Sequence, residues 1–84
     1  MKNDAIEKFV EAVKRKNRNV HVHFRTRSTI NGIFIVSTDY EEMKSKNFWR
    51  IVPESRFEEW HSTKNLSLSR LFNGTEFTRL TDDK

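Results

Sequence analysis

The stretch VHVHFRTRSTINGIFIV, residues 20–36, decides the fold. Val20, Val22 and Phe24 alternate with His21, His23 and Arg25, which is the two-residue period of a strand whose successive side chains point to opposite faces. Apolar residues return from Ile30 onward, so the same stretch must also hold a turn and a second strand. Two turns compete. Asn31-Gly32 is the usual two-residue hairpin signal, but pairing about it sets Phe24 opposite Asp39 and Val22 opposite Glu41, with acids on the face that should be buried. A turn at Ser28-Thr29 sets Phe24 opposite Ile33 and Val22 opposite Ile35, and is preferred. Gly32 then falls inside the second strand, where the missing Cβ allows a sharp bend or a close backbone approach.

On the N-terminal side, Ile6, Phe9, Val10 and Val13 follow the i, i+3, i+4, i+7 spacing of an amphipathic helix over residues 4–16, with Asp4 and Glu7 spaced as a capping box. Lys14, Arg15, Lys16 and Arg18 fall where cations offset the negative end of such a helix. On the C-terminal side, residues 39–46 are polar and interrupt the pattern. Phe48, Trp49, Arg50, Ile51 and Val52 then read as a third strand ended by Pro53. Ser55 with Glu58, and Phe57 with Trp60, suggest a short helix near residues 56–62. Residues 66–72 fit strand and helix spacing equally. Asn73-Gly74 marks a turn, and residues 76–80 read as a last strand. The expected fold is α+β: an N-terminal amphipathic helix followed by a small, strongly bent antiparallel sheet or barrel.

Eighty-four residues leave room for one domain and one core, here built on seven Phe, two Trp and one Tyr. Trp49, Trp60 and Phe57 are expected inside. A single core near this length rarely supplies more than about 3–5 kcal/mol, and with no cysteine neither disulfides nor thiolate metal sites can add to it. Self-association is the remaining support. The absence of cysteine fits a reducing compartment, and no segment has the run of about 20 apolar residues that a membrane span requires. A cytoplasmic protein without membrane contact is expected. Residues 1–27 carry eight Lys or Arg against three acids, whereas residues 28–84 carry eight against nine, so the net charge of +4 originates in the first third. Such a field suits phosphate binding.

Three constellations bear on function. His21 and His23 share one strand face and could converge on a metal, but no third ligand lies nearby and Arg25 and Arg27 disfavour a cation; no cofactor or metal is expected. Read together, His21, His23, Arg25 and Arg27 form a phosphate-binding stripe. The competing use of that face is a subunit contact, with Phe34 and Val36 covering it. Ser62, His61 and Glu58 or Glu59 are close in sequence, but no nucleophile elbow, phosphate loop or metalloprotease helix accompanies them, so an enzyme is not expected.

Val20-His21-Val22-His23-Phe24, Ile30-Asn31-Gly32-Ile33-Phe34-Ile35 and Asp39-Tyr40, followed by Asn73-Gly74-Thr75-Glu76-Phe77 with Leu80, resemble the two sequence motifs of the Sm-like family of small RNA-binding β-barrels, the Hfq type among them. The resemblance touches about half the chain. It implies a bent barrel, ring-shaped homo-oligomers, a base stacked on Tyr40 and a pocket that Asn73 also lines. The chain departs from the family at Asp39, one residue later than usual after Gly32, at Glu41-Glu42, and at Asn73, where the family carries arginine. The expected function is therefore a non-catalytic binding module for single-stranded nucleic acid, RNA above all. Its candidate contacts are Lys14, Arg15, Lys16, Arg18, His21, His23, Arg25, Arg27, Tyr40 and Asn73. The alternative is a homo-oligomeric structural or protein-interaction subunit with no nucleic-acid role.

Overall fold

Helix α1 (Asn3–Lys14) opens the chain and is followed by strands β1 (Val20–Phe24) and β2 (Ile30–Phe34). The computed structural model describes residues 1–14 and 19–82. Helix α2 (Tyr40–Ser45) leads into β3 (Phe48–Pro53), a 3₁₀ turn (Glu54–Arg56) and helix α3 (Phe57–Thr63). A second 3₁₀ turn (Leu66–Leu68), strand β4 (Arg70–Asn73), a third 3₁₀ turn (Gly74–Glu76) and strand β5 (Phe77–Asp82) complete it. The class is α+β, as expected. The five strands form one antiparallel sheet in the order β4-β3-β2-β1-β5. It is not closed into a barrel: β4 and β5 stand at opposite edges.

The inner face of the sheet carries the core. Ile6 and Val10 of α1 meet Val20, Val22, Phe34, Trp49, Ile51, Phe72, Phe77 and Leu80, with Phe9, Phe24, Ile30 and Tyr40 packed at its margin. Ile6 and Val10 are one turn apart on the stripe that the sequence marks. The capping box does not form. Asp4 lies within the first turn, where its carboxylate accepts from the Ala5 N–H at 2.9 Å, and Glu7 is drawn instead to Lys44 of α2 at 2.6 Å. Lys44 also meets Glu41 at 2.8 Å. These two carboxylates, Glu41 foremost, hold its ammonium protonated well above the usual lysine range.

The β1–β2 pairing differs from both sequence alternatives. Val20 faces Gly32 and Val22 faces Ile30, across a loop of residues 25–29. An odd-residue change of register turns every side chain of a strand over. Ile30, Gly32 and Phe34 therefore face the core, and Ile33 and Ile35 face away from it. Pairing with a single buried face cannot describe this segment, which buries Phe34 on one face and Ile35 on the other. Phe34 packs edge-on against Trp49, with ring centroids 6.3 Å apart. On the other face Val52 is 0% and Ile35 9% exposed, where α3 packs on β3 and the 3₁₀ turn before it packs on β2. Phe57 and Trp60 are only half-buried and stand outside the core cluster, contrary to expectation, because their helix covers the outer face. Trp49 alone of the three is fully inside.

Gly32 serves close approach, as the sequence suggests. A Cβ there would overlap the Ile51 γ2 methyl and lie 2.9 Å from the Val52 carbonyl oxygen. Residues 40–45, read as a polar interruption, form a helix. Residues 66–72 divide into a turn and a strand. Asn47 (φ 62°) and Lys64 (φ 54°) take the left-handed conformation that ends α2 and α3. Asn47 then uses all its polar groups: its Oδ1 accepts from the Trp49 indole N–H at 2.8 Å, its Nδ2 donates to the Met1 carbonyl at 3.1 Å, and its own carbonyl accepts from the Gly74 N–H at 2.8 Å.

Candidate nucleic-acid interface

Strand β1 ends at Phe24, and its register against β5 shifts between His23 and Phe24. That irregularity breaks the alternation on which a four-residue basic stripe depends. His21 and His23 stay on the outer face, away from Val20 and Val22, while Arg25 and Arg27 belong to the loop. The stripe divides there.

The two imidazoles are held by the sheet itself. Asn31 donates from Nδ2 to the Glu54 carboxylate at 2.9 Å, which turns its Oδ1 toward His21 and leaves His21 Nδ1 as the donor of their short hydrogen bond. His23 bonds Thr29 at 3.1 Å and Thr81 at 3.3 Å. Among the described residues no group of three or more His, Asp or Glu side chains is placed to share a metal.

Arg27 crosses to the opposite side. Its guanidinium carbon lies 5.1 Å from the Phe24 ring centroid and 5.7 Å from that of Phe72. The two rings are 5.6 Å apart and tilted by 48°, and Phe77 meets Phe24 edge-on at 5.3 Å. Phe77 and Phe72 belong to the core, so the platform beneath Arg27 is fixed. Aromatic faces attract a guanidinium by about 0.5–1 kcal/mol at exposed sites. Arg25 anchors the loop through its N–H, which donates to the Glu76 carbonyl at 3.0 Å.

These residues line one cleft of about 300 Å³, formed by Phe24, Thr26, Arg27, Leu71, Phe72, Asn73 and Glu76. Asn73 turns its Oδ1 back to the Thr75 N–H at 3.0 Å and the Thr75 hydroxyl at 2.8 Å. The side chain is exposed, and its Nδ2 has no hydrogen-bond partner among the described residues. The cleft thus sets the Arg27 guanidinium, within cation–π distance of two aromatic rings, beside the Asn73 and Glu76 side chains. Such a group can stack on a nucleobase with its outer face and direct N–H groups at phosphate or base-edge acceptors.

Tyr40 lies elsewhere. It meets Trp49 edge-on with centroids 6.1 Å apart, the Lys44 ammonium sits 5.3 Å from its ring, and its hydroxyl donates to Glu11 at 3.5 Å. Burial first, and the Glu11 carboxylate second, push its phenol up to about 12. The expectation that Tyr40 and Asn73 line one pocket does not describe this arrangement, since Tyr40 is absent from the residues around Asn73. Asp39, the residue before it, is bound twice by Arg50, at 3.1 and 2.6 Å. Arg50, with the Ser37 hydroxyl, holds its carboxyl well below the usual carboxylate range. Arg15, Lys16 and Arg18 lie outside the described residues, and Lys14 is the last residue of α1.

Of the candidate contacts, then, the structure brings Arg27 and Asn73 together, sets Arg25 on the same loop, and separates His21, His23 and Tyr40 from them. Phe72, Thr26 and Glu76 were missed. Phe24 and Phe72 are distant in sequence, and no local pattern foretells that an arginine from the loop will lie over both. No helix among the described residues is long and apolar enough to cross a membrane. Compared with known protein families, curated proteins and solved structures, the chain matches none.

Proposed function

We propose that this protein is a non-catalytic module that binds single-stranded nucleic acid through the Arg27 cleft. The observation that carries this reading is the Arg27 guanidinium laid over Phe24 and Phe72 at the mouth of a cleft that also presents the Asn73 amide. Stacking of a base on such a plane is sequence-tolerant, because every base has a π-face, and is worth about 1–3 kcal/mol. The positive excess of residues 1–27 adds a long-range attraction for the backbone. RNA is the preferred form, in keeping with the Sm-like resemblance. Titration of fluorescent single-stranded oligonucleotides at several salt concentrations tests the proposal. Affinity falls with salt, with a slope of about −0.7 per phosphate neutralised; absence of binding at low salt overturns it.

A second reading, a homo-oligomeric subunit, draws support from the open sheet. Strands β4 and β5 are both edges, and Leu71 on β4 is 46% exposed beside Phe48 at 36%. Unpaired edges bearing apolar side chains are templates for pairing with another chain. Sedimentation velocity tests it: a species that remains monomeric at high concentration removes this second reading.

A further inference from the structure

A second cavity, of about 400 Å³, lies at the other end of β4 and is lined by Pro53, Ser55, Arg56, Ser67, Leu68 and Arg70. Two turns and the start of β4 build it. Pro53 ends β3 and turns the chain into the 3₁₀ helix that carries Ser55 and Arg56. The 3₁₀ turn of Ser67 and Leu68 is fixed by Asn65, whose side chain accepts from the Ser67 N–H at 3.0 Å. Arg70 is the first residue of β4.

The chemistry of the lining is one-sided. Both charged residues are arginines, and no acid contributes to the wall. Glu54, the nearest acid in sequence, is engaged by Asn31 at 2.9 Å. Arg56 has one loose ion pair, 3.6 Å from Glu59 and largely in solvent, and Arg70 makes no ion pair among the described residues. Ser69 turns its hydroxyl back to the Leu66 carbonyl at 2.6 Å, whereas the Ser55 and Ser67 hydroxyls have no such partner among the described residues. The cavity wall therefore includes two arginines and two serines. A carboxylate needs only one guanidinium fork. A tetrahedral dianion with several acceptor oxygens can use both forks and the hydroxyls together, and the volume, within the range of small-ligand sites, also admits what the phosphate is attached to.

We infer that the Arg56–Arg70 cavity is a binding site for a phosphate group, free or as a monoester. It shares no residue with the Arg27 cleft, although Arg70 of the one and Leu71 of the other are consecutive in β4. It does not depend on the nucleic-acid reading, because inorganic phosphate alone can report on it.

The test is isothermal titration of the full chain with inorganic phosphate at low ionic strength, against acetate, in the wild type and in Arg70→Gln, Arg56→Gln and Arg79→Gln. Arg56 and Arg70 are exposed, so their variants keep the fold, as circular dichroism verifies. Saturable phosphate binding is expected, at least tenfold weaker in Arg70→Gln and Arg56→Gln, unchanged in Arg79→Gln on the opposite edge strand, and at least tenfold tighter than acetate. A 5′-phosphorylated oligonucleotide and its unphosphorylated twin distinguish the sources. A gain from the 5′-phosphate that vanishes in Arg70→Gln points to a nucleic-acid end; inorganic phosphate binding as tightly as the phosphorylated oligonucleotide points to free phosphate or another phosphoester. No saturable phosphate binding, equal binding of acetate, or binding indifferent to Arg70 overturns the inference.

Discussion

Replacing Gly32 by alanine adds one methyl group where three strands meet, and its cost follows from what that methyl would touch. The Ile51 γ2 methyl occupies its place, and the Val52 carbonyl oxygen lies 2.9 Å from it. Ile51 is 0% exposed, so its side chain has no solvent to rotate into, and the carbonyl belongs to the neighbouring strand. Overpacking of this kind costs about 1–3 kcal/mol. Alanine recovers about 0.4–1 kcal/mol by narrowing the unfolded ensemble, so taking the middle of each range the net loss is about 1–2 kcal/mol. For a domain of this length that lowers the melting temperature by roughly 5–15 °C. Urea unfolding followed by tryptophan fluorescence measures it, and an unchanged m-value would show that stability rather than compactness has moved. A change within about 0.5 kcal/mol, the range of ordinary surface substitutions, would refute the close approach of β2 and β3 and with it the register of the sheet.

Asn47→Ala should cost about 2–4 kcal/mol, since it leaves the buried Trp49 indole N–H without its acceptor and puts a Cβ-bearing residue with no amide at a positive φ; Asn47→Gly should recover only the backbone part, and equal stability of both variants with wild type would contradict the assignment. The Asp39–Arg50 pair gives a pH dependence. Because the folded carboxyl titrates below its unfolded value, the stabilisation is complete above about pH 4 and lost as pH falls further. Asp39→Asn should be less stable at neutral pH and flatten the acid limb of a stability-versus-pH curve, and an unchanged limb would refute the pairing. Tyr40→Ala should lower stability by about 1–2 kcal/mol, less than a fully buried aromatic, while leaving oligonucleotide affinity unchanged. Loss of binding without loss of stability would restore Tyr40 as the base-stacking residue that the Sm-like resemblance implies.

The elements that one periodicity dominates were legible in the sequence. Ile6 and Val10 mark α1, Val20 and Val22 mark β1, and the run from Phe48 to Pro53 marks β3. Helix α2 was not, because residues 39–46 lack an apolar stripe; it is held by the Lys44 bridge to Glu7 and by Tyr40 against Trp49, contacts that exist only once the chain has folded. The β1–β2 register was misread because Ile33 and Ile35 are as apolar as Ile30 and Phe34, and a strand buried on both faces carries no alternation to fix its register. The fate of Arg27 was hidden by the irregularity after His23, which ends the strand's parity without a local signal. Extrapolated alternation put Arg27 beside the histidines; the fold puts it over Phe24 and Phe72.

The most direct test of the account compares wild type with Arg27→Lys on the same single-stranded RNA oligonucleotide, across salt concentrations. Lysine keeps the charge but loses the planar fork that lies on the aromatic platform, and Arg27 is exposed, so the fold is retained. Affinity should fall by roughly five- to 150-fold, equivalent to the loss of about 1–3 kcal/mol of stacking, with an unchanged salt slope because the number of neutralised phosphates is the same. Equal affinity of the two proteins would contradict it, since a contact satisfied by charge alone does not need the stacked guanidinium.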